Sequence, residues 1–184
     1  MIQLKHALVV GGTGMLSNLS VWLLKNGYHV SVIARDNRKM ENLIKRAGKR
    51  NITPVLVDYR KDKELRYKLK EVIQTNGEID FVVAWIHSNA ENALEIIAEE
   101  VTKTVNQWDL FHVLGSSADL ENLKKSVTIH GNCIYHTVQL GFILENNHSR
   151  WLTNNEISEG VIEAIKNDKS NHVVGAIEPW ELRP

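Results

Sequence analysis

The residues best suited to chemistry stand near the start of the chain, where Leu8-Val9-Val10 runs into Gly11-Gly12-Thr13-Gly14 and then Met15-Leu16-Ser17. An apolar run that ends in glycines and passes at once into a helical pattern makes a strand, a tight turn and a helix N-terminus. A helix start offers unpaired backbone N–H groups and a partial positive charge. Glycines let a phosphate approach that backbone closely. The chemistry is therefore phosphate binding, with Gly11, Gly12, Thr13, Gly14, Met15 and Leu16 as the contact residues. Leu16, Leu19, Leu23 and Leu24 recur at helical spacing, Asn26-Gly27 is a stop signal, and Tyr28-His29-Val30-Ser31-Val32-Ile33-Ala34 is a second apolar run. Strand, glycine turn, helix and strand within one such unit point to a dinucleotide.

Further candidates follow the later apolar runs, since ligands of a doubly wound sheet lie beyond the carboxyl ends of its strands. The second run ends in Ala34-Arg35-Asp36-Asn37-Arg38. NAD sites place an acid about twenty residues past the glycines, on the ribose 2′-OH. Arg35 holds that spacing here, with Arg38 one helical turn on. A guanidinium fork suits a 2′-phosphate, so NADP is expected over NAD. The alternative is a solvated Arg35 with Asp36 on the ribose. The third run ends in Val57-Asp58-Tyr59, where the carboxylate either accepts from an adenine amino group or caps a helix. The fourth ends in Ala84-Trp85-Ile86, facing the adenosine or ribose. His87 next to it is a candidate for substrate contact or for a structural role in the loop. No residues are assigned to a metal.

These positions need elements to hold them. Met40, Leu43, Ile44 and Ala47 predict a second helix before Gly48, and Pro54-Val55-Leu56-Val57 a third strand. Leu65, Leu69, Val72 and Ile73 mark a helix closed by Asn76-Gly77. Phe81-Val82-Val83-Ala84-Trp85-Ile86 is a fourth strand, and Ala90, Ala93, Leu94, Ile97 and Val101 stripe the helix after it. Leu110-Phe111-His112-Val113-Leu114 is a fifth strand, with room for a short helix over 119–125. The β-branched and aromatic run 134–144 predicts one long strand. Thr153-Asn154-Asn155-Glu156 fits a capping box before the helix of Ile157, Val161, Ile162 and Ile165, and 172–177 is a last strand. Alternating β and α elements with continuous apolar strands predict an α/β fold. It is a doubly wound parallel sheet, Rossmann-type and three-layered, forming a single domain over 1–184.

Composition narrows the partners. The 184 residues carry 22 basic and 22 acidic side chains, so no charge footprint for nucleic acid or for a membrane surface is present. No apolar stretch approaches a bilayer span, and Lys5 and His6 interrupt the one early apolar run, so neither an anchor nor a signal peptide is expected. Cys133 is the single cysteine, which excludes an intrachain disulfide and fits a reduced, cytoplasmic setting. It reads as a small buried hydrophobe.

Gly11-Gly12-Thr13-Gly14-Met15-Leu16, Ala34-Arg35, Val57-Asp58 and the fifth run leading into Gly115-Ser116-Ser117 together resemble the short-chain dehydrogenase/reductase superfamily. The match is to its atypical, NmrA-like NAD(P)-binding branch, which Gly141-Phe142-Ile143 and Ser149-Arg150-Trp151-Leu152-Thr153 also resemble. It covers the first two-thirds well and the last third loosely, with Ser17 where the third fingerprint glycine is usual. The resemblance implies a catalytic serine after the fifth strand, then a tyrosine and a lysine four residues apart on one helix face. Ser116 or Ser117 matches the serine, and Tyr135 is the nearby tyrosine, but Gln139 stands where the lysine would be. A neutral amide supplies no charge to depress a phenol from its pKa of about 10. On a strand, residues four apart also lie roughly 13 Å from each other.

Two functions remain open at this point. One is an NADP-dependent oxidoreductase whose catalytic groups come from Ser116, Ser117, His87 and Tyr135, acting on an unidentified small molecule. The other is a non-catalytic NADP(H)-binding redox sensor or regulatory protein. Helix surfaces over 90–105 and the late strand could pair two copies as a homodimer.

Overall fold

The computed structural model describes residues 4–90, 92–127, 131–146 and 148–184, without the side chains of Lys124 and Ser126. Its strands are β1 (His6–Val10), β2 (His29–Ala34), β3 (Ile52–Leu56), β4 (Phe81–Trp85), β5 (Trp108–Leu114), β6 (Cys133–Leu140), β7 (Phe142–Glu145), β8 (His148–Trp151) and β9 (Asn171–Val174). The helices are α1 (Ser17–Lys25), α2 (Asn37–Ala47), α3 (Asp62–Asn76), α4 (Ala93–Thr102), α5 (Leu120–Ser126) and α6 (Asn154–Lys166). Seven strands form one sheet in the order β3-β2-β1-β4-β5-β6-β9, and every pair in it is parallel. This is the doubly wound Rossmann-type sheet that the alternating elements predict.

The continuous apolar strands are explained by burial on both faces. Ala7 and Val9 of β1 pack toward α1, α2 and α6, against Leu19, Leu23, Met40 and Val161. Their neighbours Leu8 and Val10 point the other way, toward Leu65, Leu69 and Ile97 of α3 and α4. The period of two that normally marks a half-buried strand is hidden because both faces need hydrophobes. The capping box over Thr153–Glu156 forms: Glu156 N–H donates to Thr153 Oγ1 at 3.2 Å, and Thr153 N–H donates to Glu156 Oε2 at 2.8 Å.

The expected long strand over 134–144 is instead two. The chain leaves the main sheet at Gly141, where β6 ends, and β7 pairs antiparallel with β8 in a separate two-stranded sheet. Phe142 stays buried and bridges to Ala176, while Leu144 is exposed. The last strand is shorter than 172–177, stopping at Val174 before Gly175 at φ 77°. Among the described residues, no helix is long and apolar enough to cross a membrane.

Candidate functional site

β1 and β4 are neighbours in the sheet, yet the helices that follow them, α1 and α4, pack on opposite faces. The divergence opens a crevice above the carboxyl ends of these two strands, the switch point of the fold. The glycine turn lies in it. Gly11 takes φ 82°, a left-handed conformation costly to side-chain-bearing residues, and its N–H donates to Ile33 O at 3.2 Å. Gly12 is held from three sides. A Cβ there would lie 2.7 Å from Ser20 Oγ, 2.8 Å from Val32 Cγ1 and 2.9 Å from Val9 Cγ1. Ser20 Oγ donates to Gly12 O at 3.0 Å, which fastens the turn to α1. The first turn of α1 has neither a side-chain cap nor an acidic residue, so its positive end is not neutralised by its own helix.

A groove of about 380 Å³ crosses this crevice. Of the residues expected from the sequence, Gly11, Thr13, Gly14, Met15, Ala34, Arg35, Tyr59, Trp85 and His87 line it. Gly12, Leu16, Val57 and Ala84 are not in the lining; the last three are buried core, and Gly12 is a packing contact beneath the turn. Arg38 is exposed on α2 outside the lining, and Ile86 faces a neighbouring cavity.

Charge in the groove is unevenly distributed. Asp36 lines it but acts as the N-cap of α2, accepting from Lys39 N–H at 3.1 Å. Arg35 and Lys39 both line the same wall. Lys39 was not marked by sequence reasoning; its only signal is its place in the first turn of the helix after β2. Asp58 is engaged elsewhere. The Arg60 guanidinium grips it at 2.6–3.1 Å, Arg60 N–H donates to it at 3.1 Å, and Arg35 Nη1 lies 4.0 Å away. This hydrogen-bonded fork holds the Asp58 carboxyl down at about 2. Tyr59, the next residue, contributes the groove contact and receives His87 N–H at 3.5 Å.

Trp85 and His87 close one end of the groove, with rings edge to face at 5.7 Å, and both also line a second cavity of about 690 Å³. That cavity lies between α4 and α5, under the ends of β4 and β5. Gly115 lines it, while Ser116 and Ser117 follow in the β5–α5 loop, and their hydroxyls make no hydrogen bond among the described residues. Tyr135 is on β6, a strand, and its hydroxyl lies 2.8 Å from Nδ1 of His112. Burial pushes the Tyr135 phenol further above its ordinary value, and among the described residues no cation beside it reverses the shift. Gln139, on the same strand, donates from Nε2 to the carbonyls of Ser116 and Ala118, both at 3.2 Å. It anchors the loop and does not serve the tyrosine. Cys133 is half-buried, and burial pushes its thiol up to about 12, as fits an unreactive packing residue.

The fold is shared with solved proteins. The fold is the Rossmann-type fold that short-chain dehydrogenase/reductases have. A short-chain dehydrogenase/reductase (glucose/ribitol dehydrogenase) from Brucella melitensis superposes with a TM-score of 0.71 at 10% identity, covering 94% of each chain. A metagenomic short-chain oxidoreductase, solved in complex with NADP, gives 0.69 at 12% identity over 93% of this chain and 96% of that one. An alcohol dehydrogenase from Thermococcus sibiricus, complexed with 5-hydroxy-NADP, gives 0.70 at 12% over 94% and 96%. At these identities the common property is the fold. No protein-family profile matches the sequence, and no curated protein does.

Proposed function

We propose that the groove binds an NAD(P)-type dinucleotide and prefers NADP, and that the chain is a single-domain relative of the short-chain dehydrogenase/reductases. The observation that carries this reading is the charge beside the glycine turn. Arg35 and Lys39 line the wall where the adenosine ribose would lie, while Asp36, the one acid there among the described residues, uses its carboxylate as a helix cap. A 2′-phosphate would meet two cations, whereas a bare 2′-hydroxyl would find its usual acidic partner already engaged. The pyrophosphate would rest on the backbone of Gly11 to Met15 at the uncapped start of α1. Two proteins of this fold, the metagenomic oxidoreductase and the archaeal alcohol dehydrogenase, were solved with NADP and 5-hydroxy-NADP.

A bound nicotinamide supplies hydride chemistry, and the chain would orient it and offer polar groups beside it. Ser116, Ser117 and His87 are the candidates for that: His87 lines the groove, and the two serines follow Gly115 in the β5–α5 loop. The second reading, cofactor binding without turnover, is favoured by Tyr135 and Gln139. The phenol lies on a strand, hydrogen-bonded to His112, and the residue four places on holds a loop. This departure from the Tyr-Lys pattern fits an atypical branch of the superfamily.

Thermal unfolding with each of NADP, NADPH, NAD and NADH tests the cofactor reading. A ligand at a hundred times its dissociation constant stabilises the folded state by about 2.7 kcal/mol, which for a chain of this size raises Tm by roughly 5–10 °C. That rise is expected with NADP and NADPH, with a smaller one for NAD and NADH at equal concentration. No rise with any of the four would overturn the reading.

A further inference from the structure

The cavity between α4 and α5 has a feature that the cofactor groove does not use. Its walls are mostly apolar, including Ala90 and Leu94 from the α4 side, Val113 and Leu114 from β5, and Leu123 and Val127 from the α5 side. His112 reaches it from β5, and this residue is 7% exposed. One ring nitrogen, Nδ1, is taken by Tyr135 at 2.8 Å. Nε2 has no hydrogen-bonding partner among the described residues and is not sealed in the core, so the surface that His112 retains opens to the cavity it lines.

The protonation state follows from the surroundings. Burial lowers the His112 pKa to about 4, so the ring is neutral near pH 7. Burial also raises the Tyr135 phenol, so it keeps its proton. Between a phenol and a neutral imidazole, the hydroxyl is the better donor and the ring nitrogen the better acceptor. Tyr135 therefore donates to Nδ1, and the remaining proton sits on Nε2. The pair thus aims one N–H donor into an apolar space. Glu95, an exposed residue of the lining, adds a negative charge to the cavity.

We propose that this cavity is a second ligand site, taking a neutral, mostly apolar molecule with one hydrogen-bond acceptor that pairs with His112 Nε2–H. A volume of about 690 Å³ lies within the range of small-molecule sites, which combine apolar walls with a few placed polar groups. A ligand acceptor there exchanges for water at the Nε2–H donor, with a net gain of about fivefold in affinity, or about 1 kcal/mol. Anions are disfavoured by the Glu95 carboxylate, and no Lys or Arg lines the cavity among the described residues. The site adjoins the dinucleotide groove through Trp85 and His87, but it does not depend on the groove being filled.

Three probes of matched shape test it: acetophenone, ethylbenzene and benzoate, each titrated by ligand-observed NMR with and without NADP. Acetophenone is expected to bind about fivefold tighter than ethylbenzene, the worth of one neutral hydrogen bond. Benzoate is expected to bind weakest. His112→Phe keeps an aromatic ring but removes the N–H, and should abolish the preference for acetophenone over ethylbenzene. Leu94→Trp should fill the cavity and block both. Equal binding of acetophenone and ethylbenzene by the natural chain would overturn the proposal. So would a preference that survives in His112→Phe, or binding that survives in Leu94→Trp. Affinity for NADP is measured on the same samples. Its absence would sink the cofactor reading and leave the cavity result standing, and the converse pattern would do the opposite.

Discussion

Changing Arg35 and Lys39 together to alanine is expected to weaken NADP binding by roughly 10–100-fold and to change NAD binding by less than about threefold. Hydrogen bonds to charged groups contribute about 1.5–3 kcal/mol, and each 1.4 kcal/mol is tenfold in affinity. Arg35 is half exposed, so the lower end of that range applies to it alone, and Lys39 supplies the rest. The substitutions should spare the fold. Arg35 stands 4.0 Å from Asp58, whose carboxylate keeps the full grip of Arg60. The backbone N–H of Lys39 that meets the Asp36 cap is also retained in alanine. Raising salt should erode the NADP preference in the natural chain more than in the variant, because exposed charges are screened. Calorimetric titration of both nucleotides checks this. An equal loss for NADP and NAD would mean that the two cations serve a common part of the ligand and not the 2′-phosphate.

Gly12→Val is the substitution expected to damage the molecule most. Even its Cβ would fall within 2.7–2.9 Å of Ser20 Oγ, Val32 Cγ1 and Val9 Cγ1, and the methyls would go deeper. Neither strand side chain can retreat, since Val9 and Val32 are fully buried in the core between the sheet and α1. The helix must move off the sheet and the Ser20–Gly12 hydrogen bond must break. Overpacking of this kind costs about 1–3 kcal/mol, with a further loss of about 1 kcal/mol for the hydrogen bond. For a chain of this size the sum lowers Tm by roughly 5–15 °C. It should also remove stabilisation by NADP, because the turn and the start of α1 no longer hold their relative position. Gly115→Ala is the control. A Cβ there meets nothing within 4 Å, so stability should change by less than about 0.5 kcal/mol. Gly12→Val with unaltered Tm and unaltered NADP response would show that the turn is neither tightly packed nor part of the site.

Much of this molecule could be read from local pattern. β1, β2 and β4 stand out as apolar runs because helices cover both faces of the sheet. The glycine turn and the Thr153–Glu156 capping box are equally visible, since each is set by residues within a few positions of one another. Features that depend on side-chain direction or strand register, or that lack a hydrophobic signal, are hidden. The β7–β8 hairpin escaped notice because His148-Ser149-Arg150-Trp151 is polar and partly exposed, without the hydrophobic signal of a strand. Lys39 joins the groove only through the direction that α2 takes from β2. Asp58 could not be seen to be committed, because its partner Arg60 is fixed by the turn between them. The His112–Tyr135 pair depends on the register of β5 against β6, in which Leu110 faces Tyr135 and His112 lies two residues on, along the same face. That only the short helix α5 follows β5 among the described residues is, by contrast, legible from the short distance to the next strand.

The most direct test of the cofactor site is a two-dimensional NMR titration of the backbone amides with NADP, repeated with the fragment 2′,5′-ADP. With NADP, the amides of Gly11, Gly14, Met15, Arg35 and Lys39 should shift together, with the same saturation curve. The fragment should reproduce the shifts at Arg35 and Lys39, and 5′-AMP, which lacks the 2′-phosphate, should give smaller shifts at both. Shifts confined to another part of the fold, or identical responses of Arg35 and Lys39 to 2′,5′-ADP and 5′-AMP, would contradict a 2′-phosphate site on that wall of the groove.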